Sequence, residues 1–182
     1  MPQIDITEAA AANREQFANL FQFYFYDFSE MLGFSVREDG RFGLPDLDAF
    51  FAEPWRHVFL LRVDGELAGF AIVDEVGRSG PDAEDLINMD QFFVMRKFRG
   101  QGIGAWFAVQ LFDRFRGRWR VSEVAQNPGA RVFWRKVIGR YTGGNFIEAA
   151  WQTGTDNGTA QYFRNDSTEH QGVYMRTTVR LE

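Results

Sequence analysis

The chain has 182 residues, a formal net charge of −5, no cysteine, two histidines and an aromatic content of 16%. That length suits one domain, 1–182, with an ample core. Without cysteine there is no disulfide framework, thiolate nucleophile or cysteine metal site, and His57 and His170 leave little for a histidine metal centre or a Ser/His/Asp triad, so no metal is expected. The acidic balance argues against nucleic-acid partners, which need cations along a face.

No stretch reaches membrane-spanning length and no basic-then-apolar leader opens the chain, so neither a membrane nor export is expected and the cytoplasm is the default location. Gln3 to Ile6 alternates and reads as a short strand. From Asn13, apolar residues recur at Phe17, Leu20, Phe21, Tyr24, Phe28 and Met31, the spacing of one helix face. Asn13 with Gln16 resembles a capping box at its start. Phe23, Phe25 and Tyr26 make the other face apolar too, so this helix is either buried on both sides or turned toward a ligand or subunit. Residues 33–43 read as a loop. Pro45 suits the first turn of a short helix through Ala52.

The runs His57–Val63 and Glu66–Val73 flank Asp64-Gly65, a strong hairpin signal. Residues 74–85 are acidic and leave the sheet. Leu86–Met95 is a strand, Ala105–Phe115 a helix and Trp119–Ala125 an alternating strand. Asn127-Pro128 caps a further helix, with Ala130, Phe133, Trp134 and Val137 inward and Arg131, Arg135, Lys136 and Arg140 outward. Strand-like pieces follow near 146–152, 159–164 and 174–181. The order implies an α/β (α+β) fold, a mixed central sheet with helices on its faces. Residues 169–182 read as a last strand or as an arm exchanged in a homodimer.

The organising stretch is 91–108: an apolar run, the cations Arg96, Lys97 and Arg99, glycines at 100, 102 and 104, then a helix. Glycine admits backbone conformations closed to other residues and lets a ligand approach the main chain. Consecutive N–H groups at a helix start bind phosphate. Gly100-x-Gly102-x-x-Ala105 also satisfies the dinucleotide-binding fingerprint, and Glu123 lies about where its ribose-binding acid is expected. The glycines alone therefore leave a nucleotide oxidoreductase open.

In this context the chain resembles the GNAT superfamily of N-acetyltransferases. The pattern Arg/Gln-x-x-Gly-x-Gly/Ala is met by Arg99-Gly-Gln-Gly102-Ile-Gly104, with Val94 five residues ahead, and Asn127-x-x-Ala130-x-x-Phe133 meets a second element one strand later. The stretch Phe21 to Ser29 further resembles a little-characterised bacterial branch. The resemblance implies an acyltransferase with acetyl-CoA as donor and a primary amine of a small molecule or peptide as acceptor. It implies donor binding by Val94, Met95, Arg99, Gly100, Gln101, Gly102, Ile103, Gly104, Ala105, Asn127, Ala130 and Trp134. It also implies splayed strands at the thioester, with a main-chain N–H near Val94 polarising the carbonyl.

Trp134 stands where many members carry a tyrosine that protonates the departing thiolate, and indole does not deliver a proton at neutral pH. Tyr141, about two helical turns on, is the substitute this sequence offers. For a base, Asp90 shares a strand face with Val94 by alternation, and Glu123 lies on the neighbouring strand. Glu30, Asp74 and Glu75 are further carboxylates for the amine. With Trp134 in the tyrosine position, a non-catalytic acyl-CoA-binding module is the alternative to an enzyme.

Overall fold

The computed structural model describes residues 2–76 and 86–166. Seven strands form one mixed sheet with helices, in the order β1-β2-β3-β4-β5-β7-β6. They are β1 (Ile4–Glu8), β2 (Arg56–Val63), β3 (Glu66–Val76), β4 (Leu86–Val94), β5 (Arg118–Val124), β6 (Ile147–Thr153) and β7 (Asp156–Arg164), and the helices are α1 (Arg14–Leu32), α2 (Ala49–Ala52), α3 (Ile103–Arg114) and α4 (Pro128–Tyr141). The expected strand at 174–181 and the arm at 169–182 lie outside the described residues. The chain divides into two compact units, Met1–Asp74 with Asp90–Phe98, and Glu75–Met89 with Arg99–Glu182.

In the first unit, β1, β2 and β3 pair antiparallel in turn. Asp64 (φ 50°) and Gly65 (φ 80°) both take the left-handed conformations a tight hairpin turn requires. Asp64 also accepts the Gln3 N–H through Oδ1 at 2.8 Å and donates its own N–H to Gln3 O at 2.8 Å, which fastens the entry of β1. The predicted stripe of α1 lands on this sheet: Phe17, Leu20 and Phe21 join Leu47, Val58, Leu60, Phe70, Ile72 and Phe93 in one core. Phe70 meets Phe17 edge-on at 5.1 Å and stacks with Phe21 at 5.1 Å. Burying a ring of this size stabilises by about 1.5–3 kcal/mol.

The second apolar face of α1 divides. Phe25 packs on Phe34 and Phe42 of the loop at 33–43, and Gln22 bonds both the N–H and the carbonyl of Phe42. Phe23 and Tyr26 stay exposed, at 51% and 62%. Two local expectations need correcting. Asn13 stands at the N-cap of α1, where the helix start was expected, but its side chain makes no cap bond: its Nδ2 donates to Gln16 Oε1 at 3.3 Å, and its Oδ1 accepts the Ala10 N–H and closes a 3-10 turn at Ala11–Asn13. The short helix starts at Ala49 rather than Pro45, because Asp46 Oδ1 accepts the Asp48 N–H and holds Pro45–Asp48 in a side-chain turn.

In the second unit, the first half of β4 runs parallel to β5 from Leu86↔Arg118 to Met89↔Val121, and β5 pairs along its whole length with β7, which carries β6 on its outer edge. Trp119, Val121 and Glu123 are the buried residues of β5, on one alternating face. Trp119 packs on Phe112 of α3 at 4.9 Å and on Phe163 of β7 at 6.1 Å. Asn127 caps α4 as expected, its Oδ1 accepting the Ala130 N–H at 3.0 Å.

Candidate functional site

The glycine loop follows β4 after a 3-10 turn at Arg96–Phe98. Gly100 (φ 75°) and Gly102 (φ 80°) hold left-handed conformations, and Gly102 is the N-cap of α3, its carbonyl accepting the Trp106 N–H at 3.0 Å. A helix cannot satisfy its own first-turn N–H groups. Those of Ile103, Gly104 and Ala105 therefore open toward the loop, at the positive end of α3 and with no acidic residue in the first turn. A helix end of this kind can accommodate an anion. Gly100, Gln101 and Gly102 are exposed.

The basic hinge contributes less than its sequence suggests. Arg96 pairs with Asp27 at 2.9 Å and Lys97 with Glu66. The Lys97 pair is solvent-exposed, where such contacts contribute about 0–1 kcal/mol, whereas the Asp27 carboxylate is largely buried. The charge of Arg96 and Lys97 is thus partly neutralised within the first unit.

At the end of β4, Val94 is buried and the Met95 N–H donates to Ala68 O at 2.8 Å. Met95 has therefore spent its N–H on the sheet. Asp90 lies earlier on β4, its Oδ2 3.5 Å from Gln91 Nε2. Gln91 accepts a hydrogen bond from the Tyr24 hydroxyl, and Tyr24 is held protonated to high pH by burial and then by the charge of Asp90. Asp74, one of the carboxylates expected for an amine, is instead held by Arg56 through two bonds of 2.7 Å. That bonding, chiefly the hydrogen bond to Asp74, raises the Arg56 pKa, and the guanidinium also lies over Phe50 and Trp55. Glu30 lines an open cleft of about 370 Å³ with Tyr26, Ser29, Phe34 and Arg96.

In the second unit the three predicted residues of α4 separate. Asn127 and Ala130 form the capped first turn, whereas Trp134 is buried against Phe133 at 4.9 Å and Phe112 at 6.3 Å. Tyr141 is at the helix end. Its hydroxyl donates to Asp113 Oδ1 at 2.9 Å and lies 3.3 Å from Asn165 Nδ2, and burial first of all pushes its pKa up to about 12. Asp113 is ten residues along α3 from Ile103, about 15 Å at helical rise. The structure therefore groups Tyr141 with the far end of α3 and not with the glycine loop.

Tyr141 belongs instead to a latch around Asn165, which is fully buried. Asn165 accepts the Gly117 N–H at 2.8 Å, donates to Phe112 O at 2.6 Å and Phe115 O at 3.1 Å, and gives its own N–H to Gly117 O at 3.1 Å.

Glu123 is 7% exposed. Its Oε1 accepts from Gln161 Nε2 at 2.8 Å, and the same amide nitrogen donates to Glu148 Oε2 at 3.0 Å. Glu148 is bound by Arg131 at 2.7 Å and by Arg135, whose Nε reaches it at 2.6 Å. Those bonds, Arg135 first, hold Glu148 well below the usual carboxylate range, while burial pushes Glu123 up. Gln161 and Glu148 carry no motif of their own, although the alternation of β5 already marks position 123 as inward.

A family match described as Acetyltransferase (GNAT) family spans residues 14–139, more than half of the chain. No curated protein sequence matches it significantly. Among solved structures, an acetyltransferase from Thermus thermophilus is 18% identical over 90% of this chain and 97% of its own, with a TM-score of 0.62. A GNAT-family acetyltransferase from Streptococcus pneumoniae is 11% identical over 90% and 100%, with a TM-score of 0.57. The aminoglycoside N-acetyltransferase AAC(6')-Iy, solved with CoA, is 16% identical over 75% and 88%, with a TM-score of 0.54. At these identities the likeness is one of fold, and the family match supplies the rest. The chain belongs to the GNAT family of acetyltransferases and is an acyltransferase.

Proposed function

We propose that the protein transfers the acetyl group of acetyl-CoA to a primary amine of a small molecule or peptide. The observation that carries this reading is the glycine loop: two left-handed glycines deliver the chain into an acid-free first turn of α3, a seat for the donor's pyrophosphate. The donor's residues are those of the sequence expectation, Val94 and Met95 at the strand end, Arg99–Ala105 in the loop, and Asn127, Ala130 and Trp134 on α4. Within that set, Asn127 acts by organising the first turn of α4, and Met95 by holding β4 to the sheet, since both polar groups are already bonded.

The donor supplies an activated thioester. A main-chain N–H near Val94 is the group proposed to polarise the carbonyl as the oxyanion develops. Asp90 is the proposed proton acceptor for the incoming ammonium, set in a wall of Tyr24 and Gln91 that keeps its surroundings partly dry. Tyr141 is assigned to the Asn165 latch rather than to proton delivery. Glu30, beside the exposed Tyr26 ring, suits a cationic acceptor with an apolar body. The cytoplasm, where acetyl-CoA is available, is the expected compartment.

The test has two arms. Thermal unfolding with acetyl-CoA, CoA and NADH should show stabilisation by the first two alone, since a ligand specific to the folded state raises Tm. Stabilisation by NADH alone would overturn the reading. Thiol release from acetyl-CoA over a panel of polyamines, aminoglycosides and peptides should then find an acceptor. Donor binding without turnover on a broad panel would favour a binding module, the reading that Trp134 in the tyrosine position suggests.

A further inference from the structure

The Glu123–Gln161 pair has an inconsistency if both groups are taken in their ordinary states. Gln161 spends both Nε2 hydrogens, one on Glu123 Oε1 and one on Glu148 Oε2. Two buried oxygens are then left without a partner, Glu123 Oε2 and Gln161 Oε1. Both are acceptors as long as Glu123 is a carboxylate. Reversing the amide does not help, because its oxygen would then face two carboxylate oxygens. Buried polar groups are normally satisfied, so an adjacent pair of orphans calls for a missing hydrogen.

One proton supplies it. On Glu123 Oε2 it turns one orphan into a donor, and donated to Gln161 Oε1 it would join carboxyl and amide through two antiparallel hydrogen bonds. The charged groups around the pair agree. Glu148, on β6, is already the anion of this cluster and holds Arg131 and Arg135 of α4. A second anion at Glu123 would compete with it for the same two guanidinium groups. Burial, the leading influence on Glu123, acts in the same direction.

We propose that Glu123 is a neutral carboxylic acid in the resting protein, its Oε2–H donated to Gln161 Oε1, and that this proton is a pH-sensitive fastening between β5 and the β6–β7 hairpin. Loss of the proton breaks the two-bond pair, places a carboxylate beside Glu148 and draws Arg131 and Arg135 away from it. The protonated carboxyl is favoured by folding, so this contribution is complete below the ordinary glutamate range and is lost as pH rises through the raised value. A carboxyl that already holds its proton is not the base of an acetyl transfer. That consequence rests on the proposed function and leaves the base to Asp90.

The test needs neither donor nor acceptor, so its failure is separate from that of the proposed function. The infrared difference between the full-length wild type and Glu123→Gln at neutral pH should contain the carbonyl stretch of a protonated carboxylic acid. Loss of a carboxylate band instead would overturn the proposal, and is the result expected if a water or an ammonium ion bridges the two oxygens. If the variant does not fold, carbon-13 titration of the wild-type glutamate carboxyls decides the matter. One resonance should titrate above the rest and move with the Gln161 side-chain amide; its absence refutes the proposal. In a folded Glu123→Gln variant, stability relative to wild type should rise as pH increases above the ordinary glutamate range.

Discussion

Gly100→Ala separates the loop's conformation from the stability of the fold. A Cβ at Gly100 would meet nothing within 4 Å, so the substitution causes no clash and acts only through φ, 75°. Gly154, in the β6–β7 turn, is a matched control: its φ is 59° and its Cβ would also point into open space. A left-handed alanine costs about 1–2 kcal/mol. Restricting the unfolded chain returns about 0.4–1 kcal/mol. Each variant should therefore lose about 1 kcal/mol, a fall in Tm of about 2–4 °C for a chain of this size.

Their ligand binding should diverge. If the loop relieves its strain by rotating, one main-chain N–H turns from the pyrophosphate, and a charge-assisted bond is worth about 1.5–3 kcal/mol. By calorimetric titration with CoA, Gly100→Ala should bind about 10- to 100-fold more weakly than wild type, and Gly154→Ala within twofold of it. Equal affinities in the two variants would refute the assignment of the loop as the donor's seat.

Four further outcomes follow from the same structure. Tyr141→Phe should lower stability by about 1 kcal/mol in urea unfolding and leave kcat within a fewfold of wild type; a hundredfold loss of kcat at unchanged stability would restore it as the proton donor. With its pKa near 12, Tyr141 should also stay protonated in ultraviolet titrations while exposed tyrosines ionise, and the stability tied to it should be lost as pH rises from the ordinary tyrosine value toward 12. Phe70→Ala should cost about 3–5 kcal/mol and Phe23→Ala less than about 0.5, and similar costs would contradict the division of α1 into a core face and an open one. Asp90→Asn should reduce kcat/KM about 10²- to 10⁴-fold at neutral pH without weakening CoA binding; unchanged turnover would remove Asp90 as the base.

Features written in local sequence were readable. Asp64-Gly65 fixed its hairpin because few dipeptides accept two left-handed positions in a row, and Asn127-Pro128 announced a helix start whose cap bond spans only three residues. The conformation of the glycine loop was legible for the same reason, since it depends on neighbours in the chain. What could not be read depends on partners far away. Nothing near Glu123 tells that an amide 38 residues on will bond its carboxyl. Asp74 looked available until Arg56, 18 residues back, closed on it. Asn13 marked the start of α1, but the same side chain can serve a cap or a preceding turn, and here it serves the turn. Tyr141 misled because helix spacing gives its position along α4 but not which end of α3 lies beside it.

The Asn165 latch also bears on where the chain can be shortened. Its bonds reach back to Phe112, Phe115 and Gly117, so the end of β7 and the α3–β5 junction are stitched by one residue. A protein ended after Asp166 retains every one of those stitches, whereas one ended at Arg164 loses them all and leaves buried main-chain groups of the junction unbonded. A shortened protein must therefore still include Asn165 to keep these bonds.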